Sequence, residues 1–384
     1  MRITKRVLQA ASFLTAFAMT AGMTLTVNQG SLSDFSLTAY ADDTYTYASN
    51  DQFHYAKYSD HIVISSAKSS DIETLVIPDT IEGLPVTEIG IYAFQFTKLK
   101  SVTFPDTLTE IGMYTFSYCD NLTEVTIPES VKKIGLRAFE ECPALKTVNF
   151  PDHLVQTAEY TFNNTPWLDA QRAKNPLVIV NGALIDGRTC EGDVVVPSSV
   201  KYVAAGAFQK NDKLTSVVLP AGVTAIEPNT FWYCENLKSA ELKGCETMDF
   251  GVFAACNKLT DLKLSGKLKK IDDYTFTDNT ATATITFYGS QSTWNAVQKL
   301  DNDGFLQRAN MVFDENHTEE PDEDVIGDIN KDGQCDIADA ILLQKFLLAK
   351  TGIELADWNA GDMDKNGRLN AVDFSLLKRR LLAK

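Results

Sequence analysis

A repeat of about 23 residues dominates the sequence and limits the folds that the chain can adopt. Pro105, Pro128 and Pro151 are spaced by 23, as are Pro197 and Pro220, and a phenylalanine follows eleven residues after each of them. Phenylalanines extend the series in steps of 22 or 23, giving Phe94, Phe116, Phe139, Phe162, Phe208, Phe231, Phe253 and Phe276. Two periods separate Phe162 from Phe208, so a divergent unit lies between them. A fixed period of this length predicts stacked, repeated units.

Each unit reads as a short strand, a proline and a turn that buries the phenylalanine ring. Val125 and Ile127 alternate with polar residues before Pro128, and this period of two is typical of a strand. Proline ends the strand because it lacks an amide donor for the β ladder. One unit cannot bury its apolar face alone, but stacked units share a core. The sequence therefore predicts a repeat solenoid of short β-strands and helical turns.

The seven cysteines are informative because several share one position of the repeat, three residues after the phenylalanine. These are Cys119, Cys142, Cys234 and Cys256. The same position in other units holds Thr97, Thr165, Asn211 and Asn279. Such a position favours a small side chain that bonds to turn backbone, so we expect buried thiols rather than disulfides. Cys335 lies near the C-terminus, and Cys190 and Cys245 lie outside the repeat position, where a bridge between them is an open alternative.

Residues 1–41 have the pattern of a secretory signal peptide. Arg2, Lys5 and Arg6 precede a mostly apolar stretch, and Ala39-Tyr40-Ala41 forms a small-x-small cleavage site. An uncleaved membrane anchor is the alternative, which polar residues within the apolar stretch disfavour. No later stretch is apolar enough to span a membrane. We therefore expect a secreted protein, and its net charge of −16 argues against a nucleic-acid partner.

The rest of the sequence divides into five regions. We predict an N-terminal β cap at 42–72, the solenoid at 73–288 with its divergent unit near 167–192, and a helical C-terminal cap at 289–313. Residues 314–324 are mostly acidic and contain no hydrophobic residue, which predicts an extended, mobile linker. A C-terminal module follows at 325–384.

Two loops of the C-terminal module carry oxygen ligands at the spacing of a calcium loop. Donors occupy loop positions 1, 3, 5, 9 and 12, glycine occupies position 6, and position 7 offers its backbone carbonyl. The candidate ligands are Asp328, Asn330, Asp332, Gln334, Asp336 and Asp339, and then Asp362, Asp364, Asn366, Arg368, Asn370 and Asp373. The repetition of the loop predicts two bound Ca²⁺ ions, and a pair of acidic turns without metal is the alternative. An apolar helix follows each loop, so the module should be small and all-α.

Both regions resemble known families. The segment from Thr123 to Phe139 resembles BspA-like leucine-rich repeats, and this resemblance covers about 73–287. The duplicated half-motif, with aspartate at position 12, resembles a type I dockerin over about 325–382. The dockerin resemblance implies calcium-dependent binding to a cohesin module of a scaffoldin, as in cellulosomes. It also implies a place outside the cell, free or attached to the cell surface through a scaffoldin.

The dockerin resemblance also implies which residues contact the cohesin. The family's recognition positions correspond to Ile337, Ala338, Gln344, Lys345, Ala371, Val372, Lys378 and Arg379. A solvated helix face is the alternative for the three cationic residues among them. The two halves are similar without being identical, so binding in one orientation or in two stays open.

No catalytic constellation is evident in the sequence. The four histidines do not have the spacing of zinc ligands, nucleophile-elbow and Walker motifs are absent, and no stretch remains for a catalytic domain. The expected outward strand positions are Ser101, Thr103, Glu124, Thr126, Thr147, Asn149, Ser239, Glu241, Asp261 and Lys263. This polar surface favours a protein partner over a stacked sugar. Tyr118, Trp232 and Tyr233 form either an aromatic patch on another face or packing at the rim of the core.

We therefore expect a non-catalytic interaction protein whose repeats present a protein-binding or adhesion surface and whose dockerin anchors it. The ligand of the repeats is unknown. The alternatives are an accessory or enzymatic component of polysaccharide degradation, a protease inhibitor, and a structural spacer.

Overall fold

The computed structural model describes residues 23–27, 35–39, 45–300, 304–317, 327–330, 335–350, 353, 355–356, 358–364 and 368–382. Most of the predicted signal peptide lies outside these residues. Within it, β1 (Met23–Val27) and β2 (Phe35–Ala39) pair antiparallel. No helix in the described ranges is long and apolar enough to cross a membrane.

The predicted fold class is confirmed, because the chain forms about eleven turns of β-solenoid and then a set of helices. It divides into two compact units, one comprising residues up to Asn149 with Thr161–Pro166, and the other comprising Phe150–Tyr160 and the chain from Trp167 onward. Besides β1 and β2, the strands of the first unit are β3 (Thr46–Ser49), β4 (Phe53–Lys57), β5 (Ile62–Ala67), β6 (Thr74–Val76), β7 (Thr80–Ile81), β8 (Leu84–Ile89), β9 (Ser101–Thr103), β10 (Glu110–Ile111), β11 (Glu124–Thr126), β12 (Lys133–Ile134) and β13 (Thr147–Asn149).

The second unit contains the remaining strands and all the described helices. Its strands are β14 (Gln156–Thr157), β15 (Val178–Val180), β16 (Ala183–Asp186), β17 (Gly192–Val195), β18 (Tyr202–Val203), β19 (Leu214–Leu219), β20 (Ala225–Ile226), β21 (Ser239–Leu242), β22 (Thr247–Met248), β23 (Asp261–Leu264), β24 (Lys270–Ile271), β25 (Thr284–Phe287), β26 (Gln298–Lys299) and β27 (Asn310–Phe313). The helices are α1 (Pro166–Lys174), α2 (Gln291–Ala296), α3 (Phe305–Arg308), α4 (Ile337–Leu347), α5 (Trp358–Gly361) and α6 (Ala371–Leu382).

Parallel ladders join equivalent strands of successive turns. In the first unit one sheet has the order β12-β10-β8-β5-β4-β3, and its β3, β4 and β5 pair antiparallel where the N-terminal β cap is predicted. In the second unit β17, β19, β21, β23, β25 and β27 form one sheet, and β20, β22, β24 and β26 form another. Equivalent residues lie opposite one another, such as Leu242, Leu264 and Phe287. The register thus follows the sequence period.

The repeat phenylalanines form a stacked ladder in the core of each unit. Phe116 and Phe139 are fully buried, and their ring centroids are 5.3 Å apart at an interplanar angle of 6°. Phe53 packs edge-on against Phe94 in the first unit, and Phe305 stacks on Phe276 at 4.4 Å in the second. These two outer rings lie off the repeat spacing, and each covers a ring that would otherwise end the ladder.

The turns that bury these rings are tight and contain two left-handed residues each. In every regular turn the residues two before and two after the phenylalanine have positive φ, as Tyr114 (55°) and Tyr118 (59°) do around Phe116. Left-handed residues interrupt an α-helix, so alternate amides bond to the next turn instead. The amide of Phe94 donates to the carbonyl of Thr115 at 2.9 Å. A β-carbon on Gly112 would lie 2.6 Å from the carbonyl oxygen of Ile89, so the Ile-Gly pair of the repeat allows close stacking.

The repeat position that holds cysteine, threonine or asparagine bonds to turn backbone, as predicted. The thiol of Cys142 donates to the carbonyl of Phe116 at 3.1 Å, and the thiol of Cys256 donates to that of Phe231 at 3.0 Å. The amide of Asn279 makes the equivalent bond to Phe253 at 2.9 Å. All seven cysteines lie within the described residues and are buried without a disulfide, so Cys190 and Cys245 do not form a bridge.

The divergent unit replaces a regular turn with α1 and the antiparallel pair of β15 and β16. Strand β15 (Val178–Val180) keeps the strand character of the repeat, whereas the helix before it has no counterpart in the repeat. Asp186 is buried and accepts two hydrogen bonds of 3.0 Å from Arg172 and one of 2.6 Å from Arg188. Two guanidinium groups therefore pair with the buried carboxylate of Asp186, and the bonds from Arg172 hold α1 against β16.

The segment after the last repeat is only partly helical. Trp294 and Val297 are buried as expected for a cap, whereas Leu300 is exposed, and β26 and β27 extend the two sheets. Asp314 continues from β27 with a 3.0 Å bond to the carbonyl of Phe287. The imidazole of His317 stacks on Tyr288 with centroids 3.4 Å apart. The start of the predicted linker is thus held against the sheet, and 318–324 lie outside the described residues.

Candidate functional site

The first predicted calcium loop is organised around Asp339 at the beginning of α4. This carboxylate is fully buried and accepts hydrogen bonds from the amides of Ile329, Asn330 and Asp336 at 2.8, 3.1 and 2.8 Å. Asp336 caps the helix by accepting a 2.6 Å bond from the amide of Ala338. This reciprocal capping box fixes the end of the loop to the helix N-terminus, where negative charge is favourable.

The other candidate ligands of the first loop are incompletely described. Asp328 is buried at the loop entrance, and Asn330 is half-buried. Asp332 and Gln334 lie outside the described residues. The structure therefore brings Asp339 and the amides of Asn330 and Asp336 together, and Asp332 and Gln334 stay predictions.

The second loop brings three of its candidate ligands together. Carboxylate oxygens of Asp362, Asp364 and Asp373 all lie within 4.8 Å of one another, and no other group of three histidine, cysteine or acidic side chains converges in this way among the described residues. Asp373 is fully buried and accepts from the amide of Asn370 at 2.8 Å. Arg368 is exposed at position 7, and Asn366 lies outside the described residues.

This cluster fits a hard divalent cation. Three carboxylates held so close together repel one another, and a cation between them lowers that repulsion. Oxygen is the donor that Ca²⁺ prefers, and a loop that supplies several carboxylates suits its irregular, high coordination number. The residues present therefore fit calcium at the second loop.

All eight predicted cohesin-contact positions are exposed on α4 and α6. Ile337 is 73% exposed and Val372 is 53% exposed, which is far more than a helix in a small core would leave open. Two sites that the family positions do not include are also open, namely Ile341 (44%) and Leu348 (63%). Their signal in the sequence is the helical spacing from Ile337, which places Ile341 on the same side of α4 and Leu348, the residue that caps α4, in line with both.

The two helices expose different chemistry. Helix α4 presents the aliphatic residues Ile337 and Ile341, whereas α6 presents Ala371 and Ser375 at the equivalent positions, 34 residues later. Helix α6 also carries Lys378, Arg379 and Arg380 on its exposed surface, and the ammonium of Lys378 lies 5.3 Å from the centre of the Phe374 ring. The two halves of the dockerin thus share the order of loop and helix, but their helices expose different side chains.

On the repeats, the structure confirms the outward strand positions. Strands β11 and β13 alternate exposed, buried, exposed, so Glu124, Thr126, Thr147 and Asn149 face solvent in adjacent register. Ser239, Glu241, Asp261 and Lys263 are half-buried on β21 and β23. These eight positions are polar, as expected.

The three aromatic residues singled out in the sequence belong to different units. Tyr118 lies in the first unit, 42% exposed, and stacks on Phe96 at 5.0 Å. Trp232 and Tyr233 lie in the second unit and contact each other edge to face at 4.6 Å. Sequence reasoning missed Phe96, although it stands at the same distance from Phe94 as Tyr118 from Phe116.

Comparisons with known proteins agree with both parts of the chain. A family model described as "BspA type Leucine rich repeat region" matches residues 60–179 and 189–299 with 6 copies, and one described as "Dockerin type I domain" matches residues 326–382. Type I dockerin domains bind calcium and imply a cohesin partner. Among curated protein sequences none matches.

Solved structures similar to this chain include three leucine-rich repeat proteins. One from T. pallidum shares 27% identity over 56% of this chain and 91% of that chain, with a TM-score of 0.32. A cell surface protein from Faecalibacterium prausnitzii A2-165 shares 20% identity over 67% and 99%, with a TM-score of 0.30. One from Bacteroides ovatus ATCC 8483 shares 21% identity over 72% and 71%, with a TM-score of 0.33.

Proposed function

Because this chain belongs to the BspA type leucine-rich repeat family and carries a type I dockerin domain, we propose that it is a secreted, non-catalytic interaction protein. Its dockerin anchors it through calcium to a cohesin of a scaffoldin, and its repeats present a binding surface to another protein. The observation that carries this proposal is the convergence of three carboxylates at the beginning of α6, in a module whose other helix, α4, leaves Ile337 and Ile341 exposed.

Two calcium ions hold the dockerin in this proposal, one in each loop. Asp328, Asn330, Asp332, Asp336 and Asp339 would bind the first ion with the carbonyl of Gln334. Asp362, Asp364, Asn366, Asn370 and Asp373 would bind the second with the carbonyl of Arg368. Bound calcium would supply positive charge that holds the two ends of each loop together. Asp339 and Asp373 are buried near the beginning of α4 and α6, so binding the ion would also fix the positions of these helices.

The cohesin-binding surface would consist of the exposed positions on these two helices. Large aliphatic side chains left open on a helix favour burial against a partner. Ile337 and Val372 supply this apolar area, and Lys345, Lys378 and Arg379 supply charges at its margin. Calcium affects this surface indirectly, because it fixes the helix N-termini that carry Ile337 and Val372.

The proposal is tested by calorimetric titration of the full chain with a panel of cohesins, in calcium and then in EDTA. We expect binding that chelation abolishes and that Asp373→Ala weakens at least about tenfold, because that carboxylate is buried at the loop end. Glu124→Ala, which removes an exposed carboxylate of the solenoid, is the matched control and should bind as the unaltered protein does.

Two results would contradict the proposal. Cohesin binding that persists in EDTA would show that the dockerin does not need calcium to bind a cohesin. Release of reducing sugar from plant polysaccharides by the full chain would replace the non-catalytic role with an enzymatic one.

A further inference from the structure

The two halves of the dockerin match in their buried residues. Leu343 on α4 and Leu377 on α6 are fully buried in one core, and the fully buried Asp339 and Asp373 precede them by one helical turn. The members of each pair are 34 residues apart, which is the period of the duplication. An exchange of α4 and α6 would therefore leave the pattern of buried residues unchanged. Only the exposed side chains can decide which way round a cohesin docks.

The exposed apolar surface lies mostly on α4. Ile337 and Ile341 are both exposed and stand one helical turn apart on the same side of the helix. The equivalent positions of α6 hold Ala371 and Ser375, and the hydroxyl of Ser375 donates to the carbonyl of Ala371 at 2.8 Å. Large aliphatic side chains left in water favour burial against a partner. The apolar centre of an interface therefore belongs to α4.

At two further positions the helices are more alike. Val372 on α6 stands where α4 has Ala338, and Leu382 stands where α4 has Leu348, and all four are exposed. The two leucines cancel in any comparison of the helices. Val372 is smaller than either isoleucine of α4 and is a single residue, so the larger exposed apolar area stays with α4.

The exposed charge lies mostly on α6. Lys378, Arg379 and Arg380 are consecutive and exposed, and none of the three has an ion-pair partner among the described residues. The remaining charged residue of the helix, Asp373, is buried. On α4 the equivalent three positions hold only one charge, that of Lys345. A partner surface that faces α6 gains affinity and orientation from carboxylates.

Docking the other way round would mismatch both properties. Ser375 would then face the part of the cohesin that fits Ile341, and Lys378 would take the place of Gln344 beside it. A charge placed against an apolar surface loses its water without gaining a counter-charge. The difference between the two affinities sets the preference, and both the apolar and the charged residues favour the same orientation.

We propose that the dockerin binds its cohesin in a single orientation, with Ile337 and Ile341 of α4 against an apolar centre and Lys378 and Arg379 of α6 against an acidic margin. The partner is then a cohesin whose surface has an apolar patch with carboxylates to one side of it. This inference rests on the proposed function, which assigns cohesin binding to these two helices.

Calorimetric titration of the full chain in calcium, with the cohesin of the panel that binds it most tightly, tests the orientation. Ile337→Ala with Ile341→Ala should weaken binding at least about thirtyfold, since both isoleucines lose buried area. Two interchangeable orientations would limit the loss to about twofold, because α6 would still provide the other one. Ser375→Ala, which shortens the residue of α6 equivalent to Ile341, is the matched control and should change the affinity by less than about twofold.

Lys378→Gln with Arg379→Gln tests the acidic margin independently. In about 50 mM salt this variant should bind about fivefold more weakly than the unaltered chain, and in about 1 M salt less than about twofold more weakly, because salt screens exposed charge pairs. Both double variants change exposed residues, so circular dichroism in calcium should show the helix content of the unaltered chain.

The outcomes separate this inference from the proposed function. A loss of no more than about twofold from Ile337→Ala with Ile341→Ala, at unchanged helix content, would show two orientations and overturn the inference. A loss from Lys378→Gln with Arg379→Gln that is equal in both salts would overturn the acidic margin. Either result leaves calcium-dependent cohesin binding in place. Absence of that binding for every cohesin of the panel would overturn the proposed function, and this inference with it.

Discussion

The repeats and the dockerin obtain their order from different sources. Each regular turn of the repeats adds one buried phenylalanine and a set of backbone bonds to the next turn, so the core grows with the chain. The described residues of the dockerin bury only six hydrophobic side chains, and these are Ile329, Cys335, Ala340, Leu343, Ala360 and Leu377. Its buried polar residues include four aspartates of the two loops, namely Asp328, Asp339, Asp362 and Asp373.

This difference separates two ways in which duplication stabilises a fold. Stacked repeats share apolar surface, and the free energy of folding rises with each neighbour. Two loop–helix halves share too little apolar surface for that, and a small module with this core needs bound ions. Removal of calcium should therefore affect one region and leave the other folded, whereas removal of a core ring should do the reverse.

The largest expected effect is that of chelation. EDTA should unfold the dockerin and expose one thiol, Cys335, which is now 2% exposed. The six other thiols, seven less one, lie in the solenoid, where burial raises the pKa of Cys119 to about 11 and that of Cys234 to about 12. Titration with a thiol reagent at pH 8 should thus find no reactive thiol in calcium and one in EDTA, and all seven only in denaturant.

A serine variant identifies that thiol. Cys335→Ser should abolish the EDTA-dependent reaction, and Cys256→Ser should leave it intact. More than one reactive thiol in EDTA would mean that calcium also stabilises the solenoid, and the two regions would not be independent.

The opposite perturbation removes a ring from the ladder. Phe139 is fully buried between Phe116 and Phe162, with centroids 5.3 and 5.4 Å away. Phe139→Ala should lower the free energy of unfolding of the first unit by about 3–5 kcal/mol, because a cavity remains between two stacked rings. Urea unfolding followed by circular dichroism measures the loss.

The dockerin should not respond to that substitution. Calcium-dependent cohesin affinity of Phe139→Ala should equal that of the unaltered chain wherever the variant is folded. Val76→Ala, at a 60% exposed strand position, should change stability by less than about 0.5 kcal/mol. If Phe139→Ala also changed the free energy of unfolding by less than about 0.5 kcal/mol, the phenylalanine ladder would not be what stabilises the first unit.

Much of this comparison could be predicted from the sequence, because both regions repeat. The period fixed the ladder from Phe94 to Phe276, and the glycine and aspartate spacing located the two loops. Phe53 and Phe305 were missed because they reach the ladder ends through segments that do not follow the period. Helix α1 was missed because the bonds of Asp186 to Arg172 and Arg188 depend on tertiary contacts.

The turns show a further limit of the sequence. Spacing placed the phenylalanines in turns but did not reveal left-handed residues at Tyr92 or Phe96, since aromatic residues rarely adopt that conformation. The cohesin-contact positions were carried over from a family resemblance. The structure shows that they are exposed, and contact with a cohesin stays a prediction.

The smallest expected effect is a pH dependence of the stability of the first unit, which comes from one half-buried carboxyl group. Glu88 on β8 is half-buried next to Glu110 on β10, and burial, with repulsion from Glu110, raises its pKa from 4.5 to about 7, against the attraction of His61 and Lys133. A carboxyl whose pKa is higher in the folded state stabilises the fold fully below its unfolded pKa of 4.5, and this contribution is lost as the pH rises through 7.

Glu88→Gln keeps the neutral form at every pH. It should therefore raise the free energy of unfolding at pH 8 by about 2 kcal/mol and leave it unchanged at pH 4, as read from urea unfolding at both values. Glu124→Gln, on an exposed strand position, should have no effect at either pH, and an equal gain from Glu88→Gln at both would show that ionisation of Glu88 is not the cause.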